Sequence, residues 1–170
     1  MSMKKSTKKI TVTAMLTAVS LILSYIEAIL PHFFVPGVKV GLANAAVVFV
    51  IYSLGSKNAA FVSFVRVVLS AMLFGSTTSF IYSASGAALS LTVMLILRGT
   101  KAFSAVGVSV AGGVAHNIGQ LIAVAVLMNT DAVIYYLPVL LVSGAAAGAL
   151  VGFLGGSAAV RLAGVSSDFS

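Results

Sequence analysis

The sequence predicts an all-α integral membrane protein, a bundle of six transmembrane helices, and three observations lead there. Hydrophobic residues make up 60% of the 170 residues and charged residues 8%, with a mean hydropathy of +1.16. A soluble domain of this size needs a charged shell, which ten bases and three acids cannot supply. The apolar residues form stretches of membrane-helix length, and the charges fall mostly in the gaps between them. No ten-residue alternating pattern recurs, so a β-barrel is not expected.

Crossing a bilayer takes about 20 apolar residues. The first segment spans 10–30 and is stopped by Pro31. The preceding KKSTKK superficially resembles the start of a signal peptide. The apolar run is too long for such a peptide and lacks an A-x-A site, so it reads as the first membrane helix. The second and third segments, 40–54 and 59–74, are short. The fourth covers 79–97, the fifth 104–128 and the sixth 134–160. Tight links favour an antiparallel bundle of sequence neighbours. The exception is 31–39, PHFFVPGVK, a longer link with two prolines and two phenylalanines, suited to an interfacial loop covering a site. Residues 1–9 are expected to form a basic cytoplasmic tail, 10–160 one membrane domain, and 161–170 a short cytoplasmic tail.

Six spans place both termini on one side, and the bases choose that side. With the N-terminus inside, Lys4, Lys5, Lys8, Lys9, Lys57, Arg98, Lys101 and Arg161 all lie inside, eight of the ten bases. Lys39 falls outside and Arg66 within the third segment, while Glu27 and Asp131 fall at the outer side. The expected topology is N-in, C-in. This placement also directs the +7 net charge toward lipid headgroups rather than nucleic acid.

Polar residues inside such helices are the candidates for function. Ala14 and Ala18, four apart on the first helix, form a small-residue face that lets another helix approach, within the bundle or from a partner. Gly144, Gly148, Gly152 and Gly156 make a longer groove on the sixth, for which internal packing is expected ahead of docking. Lys39 stands near the start of the second helix, with Asn44 about a turn and a half deeper. A helix N-terminus with a lysine favours an anion, although Lys39 could equally snorkel to headgroups. Arg66 should face inward, against Glu27 as an ion pair or against an anionic substrate. In GGVAHNIGQ of the fifth helix, His116, Asn117 and Gln120 share one broad face. Gly112, Gly113 and Gly119 allow close approach there. Tyr82, Ser85 and Ser90 extend the polar surface onto the fourth helix, though such serines can also bond their own backbone.

No cluster looks catalytic. Metal-diphosphate chemistry needs neighbouring carboxylates, and Glu27, Asp131 and Asp168 stand far apart. No phosphate-binding G-x-x-x-x-G-K-[ST] loop occurs. His116 and His32 are the two histidines, and zero cysteines exclude thiolate ligands, so no metal or cofactor is expected.

PGVKVGLANAAV and GGVAHNIGQL, in a six-span chain of this length, resemble the Gx transporter family, also called heptaprenyl diphosphate synthase component I. The resemblance covers residues 10–160. That family in turn is similar to the S components of energy-coupling factor (ECF) transporters. The resemblance implies a six-helix bundle holding a small molecule near its outer face. It also implies an A-x-x-x-A face, matched by Ala14 and Ala18, that docks a transmembrane coupling subunit served by two ATPase subunits. The implied function is uptake of a small, partly anionic organic solute of the vitamin, quinone or isoprenoid-precursor class. Lys39, Asn44, Arg66, Tyr82, His116, Asn117 and Gln120 would bind it, with Phe33 and Phe34 adding apolar contact. Two readings compete: a non-catalytic accessory subunit of a heptaprenyl diphosphate synthase, and a channel or self-sufficient carrier.

Overall fold

The computed structural model describes residues 2–29, 42–129 and 132–161. Lys39, Phe33, Phe34, His32, Asp131 and Asp168, named above, lie outside the described residues. Among the described residues six α-helices follow one another: α1 (Ser2–Ile29), α2 (Leu42–Ser53), α3 (Ser56–Phe74), α4 (Thr77–Thr100), α5 (Ala105–Met128) and α6 (Leu137–Arg161). A 3₁₀ turn, Ala132–Tyr136, leads into α6. No strand occurs among the described residues.

The helix boundaries follow local chemistry. Ser76 and Ser104 cap α4 and α5, each accepting a hydrogen bond from a backbone N–H of the first turn, Ser79 and Gly107 respectively. Lys101 and Asn129 end those helices in the left-handed conformation, a cap that asparagine tolerates better than most residues. Gly55 turns α2 into α3 with φ of 87°, a value that favours glycine. The sequence prediction for 134–160 is helical throughout, whereas its first residues form the 3₁₀ turn. Pro138 then occupies the first turn of α6, where its missing N–H leaves no intrahelical bond unmade. At the other end of the chain the basic 2–9 stretch is helical and continuous with the rest of α1.

Among the described residues five helices are long and apolar enough to cross a membrane; the stretch Ala43–Ser53 is apolar but shorter. At a rise of 1.5 Å per residue α2 reaches only about 18 Å, less than the roughly 30 Å of a hydrocarbon core. It compensates by burial. α2 touches α1, α3, α5 and α6, and Ala43, Ala46, Val47, Val48, Val50 and Ile51 are buried around its circumference. A helix apolar on all sides belongs in an interior. Val62, Val108 and Val151 from the surrounding helices complete this core.

α5 is clasped by α4 and α6 through glycine. A methyl group on Gly119 would meet the Ser85 carbonyl at 2.7 Å, and one on Gly148 the Ser109 carbonyl at 2.6 Å. Gly144 and Gly152 also abut α5, so the glycine groove of α6 serves internal packing. Around the perimeter large apolar side chains stand exposed, among them Phe64, Met72, Val126, Val142 and Phe153.

Candidate functional site

The site begins with a polar stripe on α1. Thr13, Thr17, Ser20 and Glu27 are buried, and their spacing of four, three and seven puts them on one face toward the bundle. Thr13 and Thr17 satisfy themselves by donating to the Lys9 and Thr13 carbonyls one turn back. The hydroxyls of Ser20 and Ser24 are buried without a partner among the described residues. Glu27 ends the stripe and accepts a hydrogen bond of 3.5 Å from the Ala43 N–H in the first turn of α2. A carboxylate at a helix N-terminus is favourably placed.

Arg66 comes in from α3 and is 8% exposed. One terminal nitrogen donates to Asn44 Oδ1 at 3.3 Å, while Nε has no hydrogen-bond partner among the described residues. The Glu27 carboxylate acts on the guanidinium electrostatically. Glu27, Asn44, Arg66 and His116 together line a cleft of ≈ 70 Å³, joined by Ser24 of α1, Ser70 of α3, and Ser79 and Ser83 of α4. One buried cation with an unsatisfied donor, one carboxylate and several hydroxyls therefore converge on one space. A buried guanidinium is tolerable only if its donors and charge find partners; Glu27 and Asn44 supply some of these, and Nε is left for a further acceptor.

Asn44 and His116 also line a second, smaller cavity of ≈ 20 Å³ between α4, α5 and α6. Ser90, Ser109 and Asn117 face it, with Gly112 and Gly113 forming its floor. The Ser90 hydroxyl is buried there without a partner among the described residues. A polar cavity of this size is large enough for one water.

The sequence-predicted residues thus divide. Asn44, Arg66 and His116 meet in the cleft. Asn117 is 4% exposed and its amide donates to the Leu140 carbonyl of α6 at 2.7 Å, tying α5 to α6 beside the inner cavity. Gln120 packs toward Gly86 of α4, and Tyr82 has a buried hydroxyl without a partner among the described residues. Neither is among the residues lining the two cavities. Lys39 lies outside the described residues. Ser24, Ser70, Ser79 and Ser83 were not foreseen; Ser79 and Ser83 carry a readable signal, because residues four apart share a helical face.

Ala14 and Ala18 are exposed on the side of α1 away from the buried Thr13–Thr17 stripe. No group of His, Cys, Asp or Glu able to hold a metal occurs among the described residues.

Residues 16–157 match the family described as heptaprenyl diphosphate synthase component I. The chain belongs to that family. The match runs from α1 into α6, so it includes every helix that lines the cleft. No curated protein and no solved structure matches the chain. Family membership fixes kinship, and the cleft gathers a guanidinium, a carboxylate and several hydroxyls in one space.

Proposed function

We propose that this protein is a multi-pass subunit of the cell membrane, N-in and C-in, that binds a small, partly anionic organic solute and delivers it inward as an S component does in an ECF-type transporter. The observation carrying this reading is Arg66, buried at 8% exposure with an unsatisfied Nε, in a cleft it shares with Asn44, Glu27 and His116. Insertion is supported by five spanning-length helices and by the exposed apolar perimeter. Topology is supported by charge: Lys57, Arg98 and Lys101 gather where α3 begins and α4 ends, the end opposite the α3–α4 turn beside the cleft. Arg98 donates to Ser56 there at 3.4 Å. Basic residues favour the cytoplasmic side, which turns the cleft outward.

Asn44, Arg66 and His116 would bind the solute directly, Lys39 would stand at the mouth, and Asn117, Gln120 and Tyr82 would hold the neighbouring helices in place. The exposed Ala14–Ala18 face supports docking of a coupling subunit backed by ATPases. Substituting Arg66 and His116 by alanine should abolish ligand retention and uptake in proteoliposomes carrying the whole assembly. Unchanged uptake by a stably folded double variant would refute the site.

The family name supports a second reading, a non-catalytic membrane subunit that recruits a soluble prenyl diphosphate synthase. The cytoplasmic cluster Lys57, Arg98 and Lys101 would then be the contact surface. Purification in gentle detergent separates the two: coupling and ATPase subunits support transport, a soluble synthase supports recruitment.

A further inference from the structure

The polar cleft has an apolar neighbour on the other side of the α3–α4 seam. A groove of ≈ 210 Å³ is lined by Phe64, Val67 and Val68 of α3 and by Phe80, Ala88 and Leu91 of α4. Phe64, Phe80 and Ala88 are exposed, so this groove opens on the bundle's perimeter. Val67 lines both spaces and is the partition between them. Its sequence neighbour is Arg66, which lines the cleft and not the groove. Polarity divides the two spaces: Glu27, Arg66 and serines line the cleft, whereas apolar side chains line most of the groove. The cleft of ≈ 70 Å³ suits a compact headgroup. From Phe80 to Leu91 the groove follows α4 for about 16 Å, at a rise of 1.5 Å per residue. The glycine contacts that bring backbones together at α4–α5 and α5–α6 have no counterpart between α3 and α4 among the described residues.

We infer that cleft and groove together hold one single-chain amphiphile, with its anionic headgroup on Arg66 and its hydrocarbon chain along the α3–α4 groove, admitted sideways from the bilayer past Val67. This rests on the cleft being the solute site and names the class of solute. The energetics favour such a ligand. Its chain stays in apolar surroundings throughout, so only the headgroup must be desolvated, and a buried guanidinium offsets that desolvation with charge-assisted hydrogen bonds.

The test uses the whole chain in phosphatidylcholine nanodiscs with dodecyl phosphate bearing a terminal diazirine, illuminated and mapped by mass spectrometry. Labelling should concentrate on Phe64, Phe80 and Leu91, several-fold above Val126, Val142 and Phe153 on other exposed faces. Excess dodecyl phosphate should remove it and dodecanol should not. Arg66→Gln should weaken labelling about tenfold or more, the loss expected for one hydrogen bond to a charged group. Ala88→Leu, at an exposed position that tolerates bulk, should lower groove labelling while leaving the thermal stabilisation by inorganic diphosphate unchanged. Uniform labelling around the perimeter, or labelling indifferent to Arg66, would mean an ordinary lipid chain fills the groove and would overturn the inference. If diphosphate stabilisation still depended on Arg66, the solute cleft would survive that result. If diphosphate stabilisation were indifferent to Arg66→Gln in a folded protein, cleft and amphiphile would fall together.

Discussion

At the scale of single residues, the molecule separates polar groups that line the cleft from those that join helices. Arg66 and Asn117 are similarly buried, yet their bonding differs. Arg66 keeps an open donor beside a cleft, whereas Asn117 donates at 2.7 Å to the Leu140 carbonyl. Asn117→Ala should therefore lower stability by about 1 kcal/mol, as loss of one buried hydrogen bond does, read as a fall in thermal midpoint. Ligand retention should fall far less than in Arg66→Ala. Arg66, Asn44 and His116 were legible in the sequence because polar side chains stand out in apolar runs. The difference between His116 and Gln120 was not. A spacing of four says that two residues share a face, and is silent on which neighbouring helix covers each part of it. Here the backbone of α4 at Gly86 lies against both residues, and of the two His116 lines the cleft.

At the scale of elements, glycine sets how near helices come. A methyl group on Gly113 would strike the Gly144 carbonyl, while one on Gly99 would meet nothing. Gly113→Ala should destabilise by roughly 1 to 3 kcal/mol, the range for overpacking a filled interior. Gly99→Ala should be neutral or stabilising by up to about 1 kcal/mol through helix propensity. Thermal unfolding of the two variants in one detergent checks the contrast. On α1 the exposed pair behaves otherwise: Ala14→Leu with Ala18→Leu should leave the midpoint unchanged and abolish co-purification of the proposed coupling subunit. The helices themselves were readable from hydropathy, and the α4 and α5 boundaries from Ser76 and Ser104. The buried stripe Thr13–Thr17–Ser20–Glu27 was equally present in the sequence. It is hard to read there because threonine and serine blend into an apolar helix, and only packing reveals that they face inward.

At the scale of the whole molecule, the proposed orientation makes a direct prediction, and the chain is well suited to test it. It has no cysteine, so single replacements report without background. Lys57→Cys and Asn129→Cys lie at opposite ends of their helices and so at opposite ends of the bundle. In sealed cells, a membrane-impermeant maleimide should label the second and spare the first; the reverse pattern would invert the topology and turn the cleft inward. The short α2 carries a consequence for biogenesis. Its twelve residues are sheathed by neighbours on every side, and its far wall is α6, where Gly155 lies against the Ala45 carbonyl. A ribosome therefore releases the second segment long before its last wall exists, and a nascent chain halted ahead of Leu137 leaves that segment half clad. Maturation of this protein has to wait for its final hairpin, which makes the C-terminal helix the latch that closes the assembly.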